Sequence, residues 1–133
     1  MSGSRNRTTG HKKEVQLAER FRQVGFPNCK TSRACNRFRD SQKIDLAYDN
    51  EAVQGRMPYN VQSKDVVTIN PFEVYEQIPK DEEIINILAI TKRKKSGSKF
   101  MTQGKYVMMS EEDFFEMVRI INQLKEETRL IHN

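Results

Sequence analysis

The most apolar run in the chain, Ile84-Ile85-Asn86-Ile87-Leu88-Ala89-Ile90, fixes most of what can be built around it. Seven residues rich in β-branched side chains make a strand more readily than a helix. A run that is continuously apolar, without polar alternation, needs cover on both faces. It therefore reads as the buried central strand of a sheet. An acidic triplet, Asp81-Glu82-Glu83, precedes it, and four cations, Lys92-Arg93-Lys94-Lys95, follow. Beyond them a Ser/Gly/Lys loop leads to a further strand at Tyr106–Met109.

The other segments arrange themselves around that strand. Residues 1–9 are polar and basic, with no apolar side chain after Met1, the pattern of a disordered arm. From Gly10, helical spacing sets in: Leu17, Ala18, Phe21 and Val24 share one face, and Gly25 with Pro27 ends the helix. Glu14 lies on the same stripe as the apolar residues, where a carboxylate is costly unless paired or metal-bound. Pairing with a nearby lysine or arginine meets that need as well as a metal does. Cys29 to Ala34 reads as a short extended segment and Asn36 to Gln42 as a basic polar loop. A strand follows around Ile44–Tyr48, then a turn-rich loop from Asp49 to Pro58, and a hairpin return into a strand at Tyr59–Val67. Asn70-Pro71 is a helix cap with proline at the first position, opening a short helix that Pro79 closes. Ser110-Glu111-Glu112-Asp113 is a capping box, and Phe114, Met117, Val118, Ile121 and Leu124 form the stripe of a long final helix that frays from Lys125. The order is helix, three strands, short helix, two strands, helix. That order gives an α/β domain with a mixed central sheet and helices on its faces.

At 133 residues, 36% hydrophobic and 31% charged, the chain makes one soluble globular domain. No apolar run approaches a membrane span, and no leader of charged-then-apolar residues precedes a cleavage site. Cys29 and Cys35 are too few for a zinc site or a disulfide framework, and read as free thiols in a reducing compartment. With only His11 and His132, histidine-based metal or nucleophile chemistry has little to work with. The formal net charge of +5 is unevenly spread. Residues 1–43 carry eleven Lys/Arg against three acids, 44–91 three against nine, and 92–133 nine against six. A basic first third beside an acidic middle suits a polyanion-binding surface flanking a metal site, as it suits an unevenly charged solvated surface.

The chemistry-bearing residues lie between Lys43 and Asp65. On a strand, Gln62 and Lys64 share a face while Ser63 points the other way. If the segment holding Asp45 lies beside that strand, a carboxylate, an amide oxygen and an ammonium converge. A carboxylate and a neutral oxygen can hold a hard divalent cation that keeps most of its waters. The lysine can orient a water or neutralise a phosphate oxygen.

Together these pieces resemble the PD-(D/E)XK nuclease superfamily, the restriction-endonuclease-like fold, and within it the small Holliday-junction resolvases and Mrr-like members. Gly10-His11-Lys12-Lys13-Glu14 matches the opening glycine, three residues and glutamate of the first helix. Gly25-Phe26 matches its end, Asp45 the aspartate of the second strand, and Gln62-Ser63-Lys64 the acidic-or-Gln/x/Lys tripeptide of the third. The likeness covers residues 10–124, with 125–133 as the tail. The chain departs from the pattern at Ile44, where proline is usual, and at Gln62, where most members carry Glu or Asp. A neutral amide oxygen is the weaker ligand.

The resemblance implies a mixed sheet flanked by helices and a metal-dependent deoxyribonuclease that hydrolyses phosphodiesters with Mg²⁺, or Mn²⁺ in its place. Asp45, Gln62 and Glu14 would hold the metal. Lys64 would position the attacking water and stabilise charge on the scissile phosphate. Arg33, Arg37, Arg39, Lys92, Arg93, Lys94 and Lys95 are candidates for phosphate contacts that position DNA without reading its sequence. It also implies a homodimer acting on branched DNA in the cytoplasm of a bacterial, archaeal or phage-infected cell. A restriction-like or nicking enzyme on duplex DNA, or an inactive DNA-binding member of the fold, fits the same residues.

Overall fold

β4 (Ile85–Ser96) is the central strand of a three-stranded sheet. It pairs in parallel with β3 (Tyr59–Val66) and antiparallel with β5 (Lys99–Met108), so the sheet is mixed and the class α/β. The computed structural model describes residues 2–132, and side-chain surroundings from Gly10 onward. α1 (Ser2–Gln23) covers one face of the sheet. Ala18 on that helix shares a buried cluster with Val61 of β3, Ile87 and Ala89 of β4, and Cys29, Leu46 and Met57 from the intervening segments. The opposite face, one residue out of step, carries Asn60 and Gln62 in register with Asn86 and Leu88. Leu88 is fully buried there, a burial that stabilises the fold by about 2 kcal/mol. Asn60 donates to Asn86 at 2.9 Å, and both amides bond the Pro79 carbonyl, so two buried polar groups tie the segment after α5 (Pro71–Glu76) to the sheet.

Several local signals act as expected. The Asn70 side chain accepts from the amides of Phe72 and Glu73, with Pro71 at the first helical position. The Ser110 hydroxyl accepts from the Asp113 amide and opens α6 (Glu111–His132). Past the last turn of α1, Gly25 takes φ 122°, a value side chains rarely tolerate, and the Phe26 amide returns to the Phe21 carbonyl.

Other segments differ from the sequence pattern. The backbone of α1 is helical from Ser2, where composition suggests a disordered arm, because extending an existing helix adds a hydrogen bond per residue without a new nucleus. α6 likewise runs on past Lys125 to His132. The extended segment at Cys29–Ala34 is only the two-residue β1 (Lys30–Thr31), followed by a single helical turn, α2 (Ser32–Cys35). The expected loop at Asn36–Gln42 is α3 (Arg37–Ser41), because the Asn36 side chain accepts from the Arg39 amide and caps a turn. The expected strand at Ile44–Tyr48 shrinks to β2 (Leu46–Ala47), which pairs with β1, while α4 (Glu51–Gln54) interrupts the return to β3. Finally, the Lys92–Lys95 run belongs to the strand itself. β4 and β5 continue as a hairpin arm closed by Gly97 at φ 63°, since cations on a two-sided solvated ribbon cost the ladder nothing.

Candidate active site

Asp45 precedes β2, and its backbone already leans on β3. Its amide donates to the Val61 carbonyl at 2.7 Å, and its Oδ2 accepts the Ser63 amide at 2.7 Å. The two residues flanking Gln62 are thus bonded to Asp45, one through main chain and one through the carboxylate. The carboxylate occupies a place in the hydrogen-bond pattern that a neighbouring strand's carbonyl would otherwise take. The Asp45 carbonyl turns the other way, to the Ser32 amide at 2.8 Å. Beyond Asp45 the chain pairs with β1 and not with β3, so Asp45 stands where the two-stranded and three-stranded sheets meet.

Burial pushes the Asp45 carboxyl up to about 7, the largest influence on it. The Ser63 amide opposes that shift, the Glu14 carboxylate adds to it, the Lys64 ammonium opposes it, and Asp40 adds a little more. Glu14 from α1 and Lys64 from β3 both lie close enough to Asp45 to act on it electrostatically. Glu14 is buried, as its place on the apolar stripe requires, and its Oε1 accepts from Arg33 Nη2 at 3.1 Å. Its other oxygen faces His11 Nδ1 at 3.8 Å, one turn back along α1.

Gln62 is 4% exposed, and its Oε1 is buried with no hydrogen-bond partner. An orphaned carbonyl oxygen inside a protein costs about 1–3 kcal/mol. His11 Nδ1, which faces Glu14, and the Ser32 hydroxyl, on the residue whose amide binds the Asp45 carbonyl, are buried without a hydrogen-bond partner as well. Among the described residues no group of three or more His, Cys, Asp or Glu side chains gathers for a metal. Asp45 and Glu14 lie close enough to interact, and Gln62, the residue next to the amide that binds Asp45, carries its unpartnered oxygen on the α5 side of the strand. That donor set is all oxygen, the kind a hard divalent cation takes, and the unpartnered Gln62 Oε1 is an acceptor free for one.

The structure thus brings Glu14, Asp45 and Lys64 into one neighbourhood and seats Gln62 against Asp45 through the backbone. The seven cations considered for phosphate contact are placed differently. Arg33 is held by Glu14. Arg39 forms a two-pronged pair with Glu51 and also bonds Gln42. Arg93 pairs through Nε and Nη2 with the two carboxylate oxygens of Asp65, and Lys92 bonds the Val67 carbonyl. Arg37, Lys94 and Lys95 are exposed and in no ion pair among the described residues, the latter two on the hairpin arm. Sequence reasoning did not single out His11 or Ser32. His11 had a signal, its position three residues before Glu14 on one helix face; Ser32 had none.

A separate groove of about 370 Å³ lies between α1 and β5, walled by Leu17, Phe21 and Val107 and rimmed by Lys13, Arg20 and Lys105. It shares no residue with the Asp45 site. No helix is long and apolar enough to cross a membrane among the described residues. No protein-family model, curated protein or solved structure matches the chain.

Proposed function

We propose that the chain is a divalent-metal-dependent DNA endonuclease of the PD-(D/E)XK, restriction-endonuclease-like kind, acting on branched DNA. The observation that carries the reading is the unmet demand of the Asp45 site. A carboxyl whose ionisation burial opposes, a second carboxylate beside it and a buried amide oxygen without a partner all gain from a cation. Asp45, Glu14 and the Gln62 oxygen would hold Mg²⁺ or Mn²⁺, and a cation bound there supplies Lewis-acid stabilisation of phosphate charge. Lys64, on the same strand face as Gln62, donates to a non-bridging phosphate oxygen and orients the attacking water. Arg33 and the Ser63 amide hold the two carboxylates in place. Lys94 and Lys95 on the hairpin arm and Arg37 on α3 supply exposed positive charge for the backbone of the substrate. Two copies about a two-fold axis would present two such sites to the paired strands of a junction.

The test is a gel cleavage assay on a four-way junction, a matched duplex and a single strand, each with Mg²⁺, Mn²⁺ or EDTA. Paired nicks in the junction that need metal and vanish with Lys64→Ala are the expected result. Cutting of plain duplex moves the protein to a restriction-like role. Binding without cutting in either metal removes the catalytic reading and leaves a DNA-binding module.

A further inference from the structure

α6 is twenty-two residues long and none of them is buried. Among the described residues no other element makes more than slight contact with it, and only Asp113 and Met117 are half-buried. Its first turn is tied to the body by the Ser110 amide, which donates to the Tyr75 hydroxyl of α5. Such a helix in isolation is marginal in water unless an apolar face is covered. The face is present. Phe114, Met117, Ile121, Leu124, Thr128 and Ile131 recur at alternating spacings of three and four, the two inward positions of three successive heptads. Val118 and Ile120 flank that seam.

The polar side chains agree with the same division. The intrahelical pairs Glu116–Arg119 and Glu126–Arg129, and the Arg119–Gln123 bond, all fall on the far side of the helix from the seam. Thr128 occupies an inward position, and its hydroxyl bonds the Leu124 carbonyl, leaving its methyl as the outward surface. Phe115 and Leu130 lie outside the seam.

We propose that α6 pairs with α6 of a second copy of this chain, seam to seam about a two-fold axis. The relation is isologous, so one apolar face serves both partners. The exposed seam and flank residues present roughly 600 Å² of mostly apolar surface per helix, and the polar side chains beside them bring this toward the about 800 Å² per partner of a stable interface. The chain's own body is a poor alternative cover. Its open apolar groove lies on the α1 face of the sheet, whereas Ser110 anchors the start of α6 to α5, which packs by the other face. The pairing supplies the two-fold arrangement named in the proposed function but stands on the helix alone. A dimer that cuts no DNA would remove the nuclease and leave the helix pair intact.

Sedimentation of the full chain across the micromolar range tests it. The expected species is a dimer, twice the 15.6 kDa chain mass, which Ile121→Glu with Leu124→Glu converts to monomer. Thr128→Leu, which fills the one polar inward position, is expected to tighten the dimer several-fold. The back-face change Glu116→Gln should leave it as it is. A wild-type chain that stays monomeric overturns the proposal. So does a dimer that survives the double glutamate variant, or one indifferent to Thr128→Leu.

Discussion

Asp45→Asn should stabilise the fold, and by an amount that depends on pH. The folded protein holds the Asp45 carboxyl at about 7, against 3.8 for the free group, chiefly through burial. A raised carboxyl pKa means that the folded state favours the protonated form, so stability is full below the unfolded value and is lost as pH climbs through the folded one. At 1.36 kcal/mol per unit, ionising Asp45 costs the fold about 4 kcal/mol above pH 8, about 2 near pH 5.5 and under about 1 at pH 4. Asparagine carries no charge, and its side-chain oxygen can still accept from the Ser63 amide that Oδ2 bonds at 2.7 Å. The gap between the Asn variant and the wild type should therefore open from near zero at pH 4 to a few kcal/mol at pH 8. Urea unfolding followed by circular dichroism, in EDTA, reads this directly. A difference that is flat with pH would refute the reasoning. So would an Asn variant that is less stable at pH 8, because the carboxylate would then be ionised and well paired in the fold.

Further expectations follow from other residues. On the proposed nuclease reading, Gln62→Glu would add a charged ligand where a neutral oxygen now lies buried, so half-maximal cleavage should need several-fold less Mg²⁺, read from a metal titration of the gel assay. The same variant without metal should be less stable at pH 8 than wild type, since it places another carboxylate beside Asp45. Asn36→Ala removes the cap on α3 and the bonds to the Tyr48 carbonyl and Glu51, and should cost about 2 kcal/mol in urea unfolding. Leu88→Ala opens a cavity in the α5 face of the sheet and should cost about 3 kcal/mol by the same measurement.

How far the sequence could be read depended on how local each signal was. The run Ile84–Ile90 announced the central strand because its apolar continuity has one structural solution, and Asn70-Pro71 and Ser110 announced helix starts because a cap acts within three residues. The tertiary pairings were not local. β2 belongs with β1, a fact that rests on which two-residue segments meet in space, so the simple hairpin from Asp45 into β3 was the wrong connection even though Asp45 does reach β3. The Lys92–Lys95 run lay beyond the apolar stretch that marked the strand, yet a ribbon with both faces in water places no demand on its side chains, so β4 runs on through it. At the site, Glu14 was legible because a carboxylate on a buried stripe needs an explanation. The absorption of Arg33, Arg39 and Arg93 into ion pairs with Glu14, Glu51 and Asp65 was not, because each partner lies 12–28 residues away in sequence.

The central claim is that Asp45, Glu14 and Gln62 hold a divalent cation. Calorimetric titration of the folded protein with Mn²⁺ at pH 8, without DNA, tests it most directly. One ion bound per chain, lost in Asp45→Asn while that variant remains folded, is the predicted result. A wild-type chain that binds no Mn²⁺, or an Asn variant that binds it equally well, would contradict the account.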